Sequence, residues 1–398
     1  MDGEPAGAGN AADPASSANE KPPRGLGSWR VMLICVGIFA VVVGAAVAIR
    51  LLTATHYSAG QPISAPQPVS TRQPVSARQS VSAGQPISIS HPVAKSLSVG
   101  APVQSVAFSP DGKILAIGLD NGTVQLWDPA TSKVIGSLGP GIPGTADSSI
   151  AFSHDGKVLA DSIGGSVYLW DVPTRKEITS VDIGKVTSSD SNVTSLSLSP
   201  DGRTVAVAEG QSFVLWNAAT GTVVVVPDTA ANFVAFSQNG DTLATVGGGD
   251  ESARLWNIPS RDFINSPTTA IDRLIDDTVG MAYSPDDQTI AIFGDNGLQS
   301  LYTPAIWLWN TVSGKVVTIV DGRPQDAVLA GAFSSNGMLF AAGDANGDVR
   351  LWDIATDKMI ATLLPASSGN IRSVAFSPSS ETLAVGQNQD DIVRLWRL

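Results

Sequence analysis

The sequence has little of the chemistry on which most enzyme centres are built. The chain of 398 residues contains one cysteine and three histidines. A single cysteine excludes an intramolecular disulfide, a cysteine-rich zinc site and an iron–sulfur cluster, and three histidines leave little room for a multi-histidine metal centre. Positive charge is also scarce, with 24 Lys and Arg against 36 Asp and Glu and a net charge of −12. Because an acidic chain repels phosphate backbones, we expect no nucleic-acid partner.

A run of nineteen residues without a charge extends from Val31 to Ile49, between Arg30 and Arg50. As a helix this run would span about 28 Å, which is enough to cross the hydrocarbon core of a bilayer. Residues 31–52 are therefore predicted to be a transmembrane helix, and residues 1–30, rich in Ala, Gly, Pro and Ser, a disordered tail. A cleaved signal peptide is the alternative, because Ala46-Val47-Ala48 resembles a cleavage site, although the apolar core is longer than usual.

The charges beside this segment predict its orientation. Basic residues are more numerous before it than directly after it: Lys21, Arg24 and Arg30 against Arg50. This excess favours a cytoplasmic N-terminus and an extracytoplasmic C-terminal bulk. One helix face also carries a row of small residues, Ala40, Gly44 and Ala48. Such a row would let two helices associate as a weak dimer, although small residues are common in membrane helices for other reasons.

Residues 53–93 form a linker that contains a six-residue repeat. Five units close to Gln-Pro-[Val/Ile]-Ser begin at Gln61, Gln67, Gln73, Gln79 and Gln85. Proline and β-branched residues disfavour a helix, so the repeat is predicted to be an extended stalk with polyproline-II character. The alternative is a linker without a spacing role.

The rest of the chain, residues 94–398, is seven copies of one unit. Each copy starts with a strand and a turn such as Val106–Gly112, VAFSPDG, and its third strand ends in Leu-Trp. The alternation of apolar residues predicts short half-buried strands, and Pro-Asp-Gly or Asp-Asn-Gly predicts hairpin turns between them. The recurring tryptophans are large enough to fill the gap between adjacent sheets. They are Trp127, Trp170, Trp216, Trp256, Trp309, Trp352 and Trp396.

These units resemble WD40 repeats. The resemblance implies an all-β, seven-bladed β-propeller over residues 94–398, with Val93–Val99 supplying the outer strand that the last unit lacks. The repeats are degenerate and of a bacterial type: the family's Gly-His motif is absent, and Trp-Asn replaces Trp-Asp in three units. The buried polar network of the family is therefore not expected, and stability should depend more on apolar packing. Periplasmic propellers with repeated Ser-Pro-Asp-Gly-Lys turns are the alternative family.

The propeller sequence predicts no catalytic residue, no cofactor and no metal. Its one histidine, His154, stands in a turn, where exposure is expected. Paired carboxylates could still support hydrolysis, but most of the acidic residues fall in turns, where Asp is expected for backbone reasons. The Asp-rich stretch Asp344–Asp348 lacks the full ligand spacing of a calcium loop and is interpreted as a hairpin.

The longest unit predicts a partner site. The spacing between successive tryptophans is 40 to 46 residues except for 53 between Trp256 and Trp309. Two insertions, Asn265–Thr278 and Asp295–Ile306, account for the excess and should emerge side by side on the top face, as binding loops of repeat proteins often do. The candidate partner-binding residues are Arg273, Leu274, Asp276, Leu298, Leu301 and Tyr302. The alternative is that these apolar residues pack on one another.

The sequence thus predicts a membrane-tethered, non-catalytic scaffold that binds a protein or peptide through top-face loops. An extracytoplasmic ligand sensor or carbohydrate-binding module of the cell envelope is the second hypothesis. It would need aromatic or carboxylate side chains converging on the channel mouth. A carboxylate hydrolase is the third hypothesis, and the scarcity of histidine weighs against most versions of it.

Overall fold

The computed structural model of the chain describes residues 94–398 except for ten short stretches. These stretches are 142–148, 188–192, 210–211, 227–230, 248–251, 267–276, 296–303, 321–326, 364–368 and 390. The predicted tail, membrane helix and linker lie outside the described residues. Within the described part, no helix is both long and apolar enough to cross a membrane.

The described strands form seven four-stranded antiparallel sheets, which are the blades of a propeller. Blades 1 to 4 consist of β2 (Val103–Phe108), β3 (Leu115–Leu119), β4 (Val124–Asp128) and β5 (Lys133–Leu138); β6 (Ile150–Phe152), β7 (Val158–Ile163), β8 (Ser166–Asp171) and β9 (Lys176–Asp182); β10 (Ser195–Leu198), β11 (Thr204–Ala208), β12 (Phe213–Asn217) and β13 (Thr222–Val226); and β14 (Phe233–Phe236), β15 (Thr242–Val246), β16 (Ala253–Asn257) and β17 (Asp262–Asn265).

The remaining three blades follow the same order. They consist of β18 (Asp277–Tyr283), β19 (Thr289–Asp295), β20 (Pro304–Asn310) and β21 (Val316–Val320); β22 (Val328–Phe333), β23 (Leu339–Asp344), β24 (Val349–Asp353) and β25 (Lys358–Leu363); and β26 (Ile371–Phe376), β27 (Thr382–Gln387) and β28 (Ile392–Arg397), with β1 (Ala94–Ser98) as the outer strand of blade 7. A short helix, α1 (Ile183–Thr187), lies between blades 2 and 3.

The blades form a closed ring. The first strand of each blade contacts the first strand of the next, and β26 of blade 7 contacts β2 of blade 1. The ring closes through β1, which pairs antiparallel with β28 from Ala94 opposite Trp396 to Ser98 opposite Ile392. The predicted use of the segment before blade 1 as the missing outer strand is therefore confirmed. This arrangement joins the beginning and the end of the propeller in one sheet.

The core is divided among the seven blade interfaces. Each interface holds one apolar cluster, and the repeat tryptophan of the blade that follows it belongs to the cluster or, in the case of Trp256, is partly buried and packs against it. Trp127, for example, packs at the junction of blades 7 and 1, and Trp396 at the junction of blades 6 and 7. The other five are Trp170, Trp216, Trp256, Trp309 and Trp352. The predicted role of these side chains, to fill the gap between adjacent sheets, is confirmed.

Three of these tryptophans are stabilised by packing without a hydrogen bond. The indole Nε1 atoms of Trp170, Trp309 and Trp396 are buried and have no hydrogen-bond partner among the described residues. Trp127, by contrast, donates to Gln125 Oε1 at 2.9 Å, and Trp256 donates to Thr245 Oγ1 at 3.0 Å. This agrees with a repeat that lacks the Gly-His motif and depends on apolar burial, which contributes roughly 25 cal/mol per Å².

A buried serine supplies side-chain hydrogen bonds at the first hairpin of every blade. Its hydroxyl accepts the backbone N–H five residues later, as Ser334 does from Leu339 at 2.9 Å, and donates to the side chain two residues later, Asn336, at 2.7 Å. The seven serines are Ser109, Ser153, Ser199, Ser237, Ser284, Ser334 and Ser377. Their recurrence was visible in the sequence, but their burial was not predicted.

The residue after the repeat tryptophan caps the third hairpin. Asp171 Oδ1 accepts the Thr174 backbone N–H at 2.8 Å and also its hydroxyl, and Asn217 Oδ1 accepts the same two groups of Thr220. The Thr174 hydroxyl, followed by its backbone N–H, holds the pKa of Asp171 below its ordinary value. Since only an acceptor oxygen is required, Asp and Asn serve equally. The departure from Trp-Asp in three units therefore leaves the turn intact.

The predicted bounds of both insertions need correction. The predicted insertions Asn265–Thr278 and Asp295–Ile306 overlap strands, because Asp277 and Thr278 belong to β18 and residues 304–306 to β20. Ile306 is buried, with 2% of its surface exposed. Part of the excess length of this unit therefore lies in longer strands. The spacing between tryptophans could not show this, because it does not separate strand from loop.

Candidate partner-binding face

The two ends of the propeller differ in regularity. The bottom face carries the first-to-second and third-to-fourth turns of each blade, and the top face carries the second-to-third turns and the connections between blades. On the bottom, the first turn has five residues in six blades and six residues in blade 1. On the top, the second-to-third turn varies from two residues in blade 2, Gly164 and Gly165, to eight in blade 5, residues 296–303. The bottom therefore repeats one design, whereas the top varies.

Bottom-face turns also lock neighbouring blades together. In blade 5, Asp287 occupies the turn position at which most blades have glycine, with φ of 58°. Its carboxylate accepts the backbone N–H groups of Gln238, at 2.6 Å, and Asn239, at 3.1 Å, in the turn of blade 4. Two exposed acid–lysine pairs, Asp111 with Lys113 and Asp155 with Lys157, offset charge on the same face. These turns therefore have a structural role, which is to join neighbouring blades.

The two kinds of top-face connection lie side by side. The segment that leads from β1 to β2 accepts the Asp120 backbone N–H through Pro102 O at 3.0 Å, and its Val99 N–H donates to Asp391 O at 2.8 Å. Asp120 and Asp391 belong to the second-to-third turns of blades 1 and 7. The same contact recurs in blade 6, where the Ala345 N–H donates to Ala327 O at 3.0 Å. In these blades the two kinds of connection share the top face, whereas residues 267–276 and 296–303, where the site is predicted, lie outside the described residues.

A buried polar group fixes the top-face connection between blades 2 and 3. Glu209, 4% exposed at the end of β11, accepts the hydroxyl of Thr187 from α1 at 2.8 Å. It also accepts the Ser212 hydroxyl at 2.7 Å. These bonds satisfy a carboxylate that would be costly to bury alone. They join the inter-blade connection to the turn of blade 3, so this part of the top face is rigidly placed.

The Asp-rich stretch of blade 6 is a hairpin, as predicted. Asp344 Oδ1 accepts the backbone N–H groups of Asn346 and Asp348, each at 2.9 Å, and Oδ2 lies 3.0 Å from Nη2 of the buried Arg350. Burial raises the pKa of Asp344, against the lowering effect of those N–H groups and of Arg350. The carboxylate is therefore already committed to protein partners. In the part of the chain that the structure describes, no group of three or more His, Cys, Asp or Glu could hold a metal ion.

Blade 7 uses an amide where blade 6 uses a carboxylate. Arg394, at the same strand position as Arg350, donates to Gln387 Oε1, and the Gln387 amide donates to Gly369 O at 3.2 Å. Both arginines are buried and lie two residues before the repeat tryptophan. Sequence reasoning missed these pairs, although the recurrence of arginine at this position was a visible signal. They stabilise the upper part of the blades.

The candidate residues themselves lie outside the described residues. Arg273, Leu274 and Asp276 fall in the stretch 267–276, and Leu298, Leu301 and Tyr302 fall in 296–303. The strands on either side are described: β17 and β18 flank the first stretch, and β19 and β20 flank the second. By sequence, the connections of the top face contain fourteen acidic and three basic residues, so they carry an excess of negative charge.

Comparison with known families identifies the repeat. The model of the WD40 family, described as WD domain, G-beta repeat, matches residues 94–128, 180–217, 226–257, 314–353 and 358–397. Five segments of the propeller are therefore WD40 repeats. Blades 2 and 5 lie largely outside the matched segments. Each nevertheless has four strands, as the matched blades do, and a buried repeat tryptophan.

The chain aligns with only part of the length of each of its relatives. The chain is 25% identical over 204 residues to the guanine nucleotide-binding protein subunit beta of Oryza sativa subsp. japonica, covering 48% of this chain and 51% of that protein. It is 22% identical over 297 residues to the B-type cell cycle switch protein ccs52B of Medicago truncatula, covering 74% and 49%. The chain thus spans about half the length of these two relatives.

A solved structure supports the fold. The WD40 propeller is similar to a chain of Kuenenia stuttgartiensis hydrazine synthase, with a TM-score of 0.63 and 19% identity, covering 78% of this chain and 99% of that one. At this identity the likeness shows the β-propeller fold alone.

Proposed function

We propose that this WD40 propeller is a non-catalytic scaffold that binds a protein partner through its top face. WD40 propellers typically mediate protein–protein interactions. The observation that carries the proposal is the contrast between the two faces: bottom turns of nearly constant length with one repeated hydrogen-bond pattern, and top connections of variable length. Recognition of one partner requires irregular surface, and loops on a rigid scaffold supply it.

The charge of the top connections suggests the kind of partner. Their fourteen acidic and three basic residues favour a partner surface that presents lysine or arginine, because complementary charge speeds association and rejects wrong partners. Leu298, Leu301 and Tyr302 would supply the apolar centre of the contact. Two relatives are, by name, parts of larger assemblies: the guanine nucleotide-binding protein subunit beta and the anaphase-promoting complex subunit cdc20 of Dictyostelium discoideum. Both support an assembly role for this chain.

A double substitution at the longest turn tests the partner site. Changing Leu301 and Tyr302 to serine is expected to reduce partner binding at least about tenfold, because aromatic and apolar anchors contribute most of the energy of an interface. The measurement is quantitative affinity capture of the full chain and its partners from its native cells. Val312→Ser is the matched control, since Val312 is an apolar residue of a bottom turn with 79% of its surface exposed. Equal capture by the double variant and the control would reject the top-face site.

We further propose that the predicted helix, residues 31–52, tethers the propeller to a membrane with the propeller on the extracytoplasmic side. The support is the length of the uncharged run and the excess of basic residues before it. The linker offers trypsin two sites, Arg72 and Arg78, whereas a closed propeller should resist digestion.

Protease treatment of intact cells tests this arrangement. We expect trypsin to release a folded fragment that begins near Gln79, because the linker would be accessible outside the cell. Detection with a C-terminal antibody and mass spectrometry gives the cleavage point. Lysed cells provide the control for intrinsic cleavage. Protection in intact cells, followed by release after lysis, would reverse the orientation.

A further inference from the structure

The outer strand of each blade has one edge that the blade does not pair. β5, β9, β13, β17, β21, β25 and β1 are each the last strand of their sheets in the described structure. Unpaired edges are templates for strand addition by another chain. Proteins limit this pairing with bulges that twist the edge away and with charged residues on the strand.

Four of the seven edges carry both kinds of protection. In blades 1, 2, 4 and 6 the register between the third and fourth strands shifts beside the repeat tryptophan, so the outer strand is bulged. Each of these outer strands also contains a charged residue: Lys133, Lys176, Asp262 or Lys358. β1 pairs without a bulge but contains Lys95.

Two edges have neither form of protection. β13, with the sequence TVVVV, pairs residue by residue with β12 from Thr222 to Val226 and contains no charge. β21, with the sequence VVTIV, is also regular and uncharged, but it directly follows Lys315. The turn before β13 ends in Thr220 and Gly221, neither of which is charged. β13 is therefore the least protected edge in the described structure.

We propose that β13 is a self-association edge, which pairs antiparallel with β13 of a second copy of this chain. The pairing would centre on Val224, with Val223 of each copy opposite Val225 of the other. Because the three central residues are all valine, the strand is its own complement, and β-branched residues favour cross-strand pairing. The two copies of blade 3 then form one continuous eight-stranded sheet.

Charge favours a second copy at this strand. With a net charge of −12, two copies repel wherever their acidic residues meet, and β13 joins them at a strand that contains none. The pair of strands is much smaller than a standard interface of about 1,600 Å², so the dimer should be weak and form only at high local concentration. Added salt screens the remaining repulsion between the two copies, so it should strengthen the dimer.

The test is sedimentation equilibrium of the full chain in nonionic detergent. We expect a concentration-dependent dimer whose dissociation constant rises at least about tenfold in Val225→Lys, because a charge at the edge opposes pairing. Val225 is 38% exposed, so lysine there should not impair folding. The matched control is Val134→Lys: Val134 is 52% exposed on the bulged strand β5, and this variant should dimerise like the parent.

A cross-link gives an independent readout. In a chain with Cys35→Ser, a Val224→Cys substitution places two cysteines opposite each other, about 4.5–5.5 Å apart between Cα atoms, within disulfide reach. Oxidation should yield a covalent dimer in this chain, and a much smaller yield in the Val134→Cys control. A monomer at all concentrations, or an equal dimer in Val225→Lys, would overturn the proposal. So would loss of the dimer in Gly44→Ile alone, which would assign it to the predicted membrane helix.

Discussion

Replacement of Leu97 by aspartate is expected to open the propeller ring, with a loss of about 4 kcal/mol or more in the free energy of unfolding. Leu97 lies in the ring-closing strand β1, 2% exposed, opposite Val393. It belongs to the apolar cluster that joins blades 7 and 1 together with Val103 and Trp127. The substitution removes a buried side chain and places a carboxylate in a cluster made only of apolar residues.

Denaturant unfolding followed by tryptophan fluorescence measures the loss, since Trp127 reports on the same cluster. Ser96→Asp is the matched control, because it adds the same charge to the neighbouring residue of β1, which is exposed. We expect this control to change stability by less than about 0.5 kcal/mol. An unfolding midpoint for Leu97→Asp equal to that of the parent would show that β1 does not hold the ring closed.

Replacement of Gly343 by alanine is expected to cost about 3 kcal/mol, the upper part of the usual range for overpacking. Gly343 lies in β23, and a methyl group there would overlap the side chain of Ile371 in blade 7, 2.6 Å from its Cβ and closer still to its Cγ2. Ile371 is fully buried and β-branched, so it has no free rotation with which to yield. The strain falls on the interface between blades 6 and 7.

A second glycine gives the control for this prediction. Gly136 also lies in a strand, β5, and a methyl group there would lie 2.8 Å from Cδ of Arg175. Arg175 is exposed and flexible, so it can move aside at little cost. Gly136→Ala should therefore stay within about 0.5 kcal/mol of the parent in the same unfolding measurement. Equal losses in the two variants would mean that the glycines act through backbone conformation and not through close packing.

The number of blades and the closure of the ring could be predicted from the sequence because both depend on local repeats. A turn such as Val106–Gly112 and a tryptophan such as Trp127 mark one blade each, and a last unit with three strands requires a fourth from elsewhere. The pairing of β1 with β28 followed from that count. These signals are repeated seven times, so one degenerate copy does not obscure them.

Contacts between distant residues could not be predicted in this way. The bond from Asp287 to the turn of blade 4 joins residues 49 positions apart, and nothing in the local pattern marks it. The first residues of β18 and β20 were interpreted as loop because tryptophan spacing alone does not separate strand from loop. The partner-binding role of Leu301 and Tyr302 stays a prediction for a similar reason: it depends on what the turn meets on another molecule.

The place where the chain enters the propeller determines how the molecule would respond to pulling. Ala94 begins β1 opposite Trp396, and the Leu398 N–H is bonded to Glu381 O in a bottom turn. Any tension carried by the segment before Ala94 therefore acts first on β1, at its bottom end. Five residue pairs with β28 resist that tension, and they would separate one after another when pulled outward. The strand that completes the ring is thus also the first strand that would separate from it under tension.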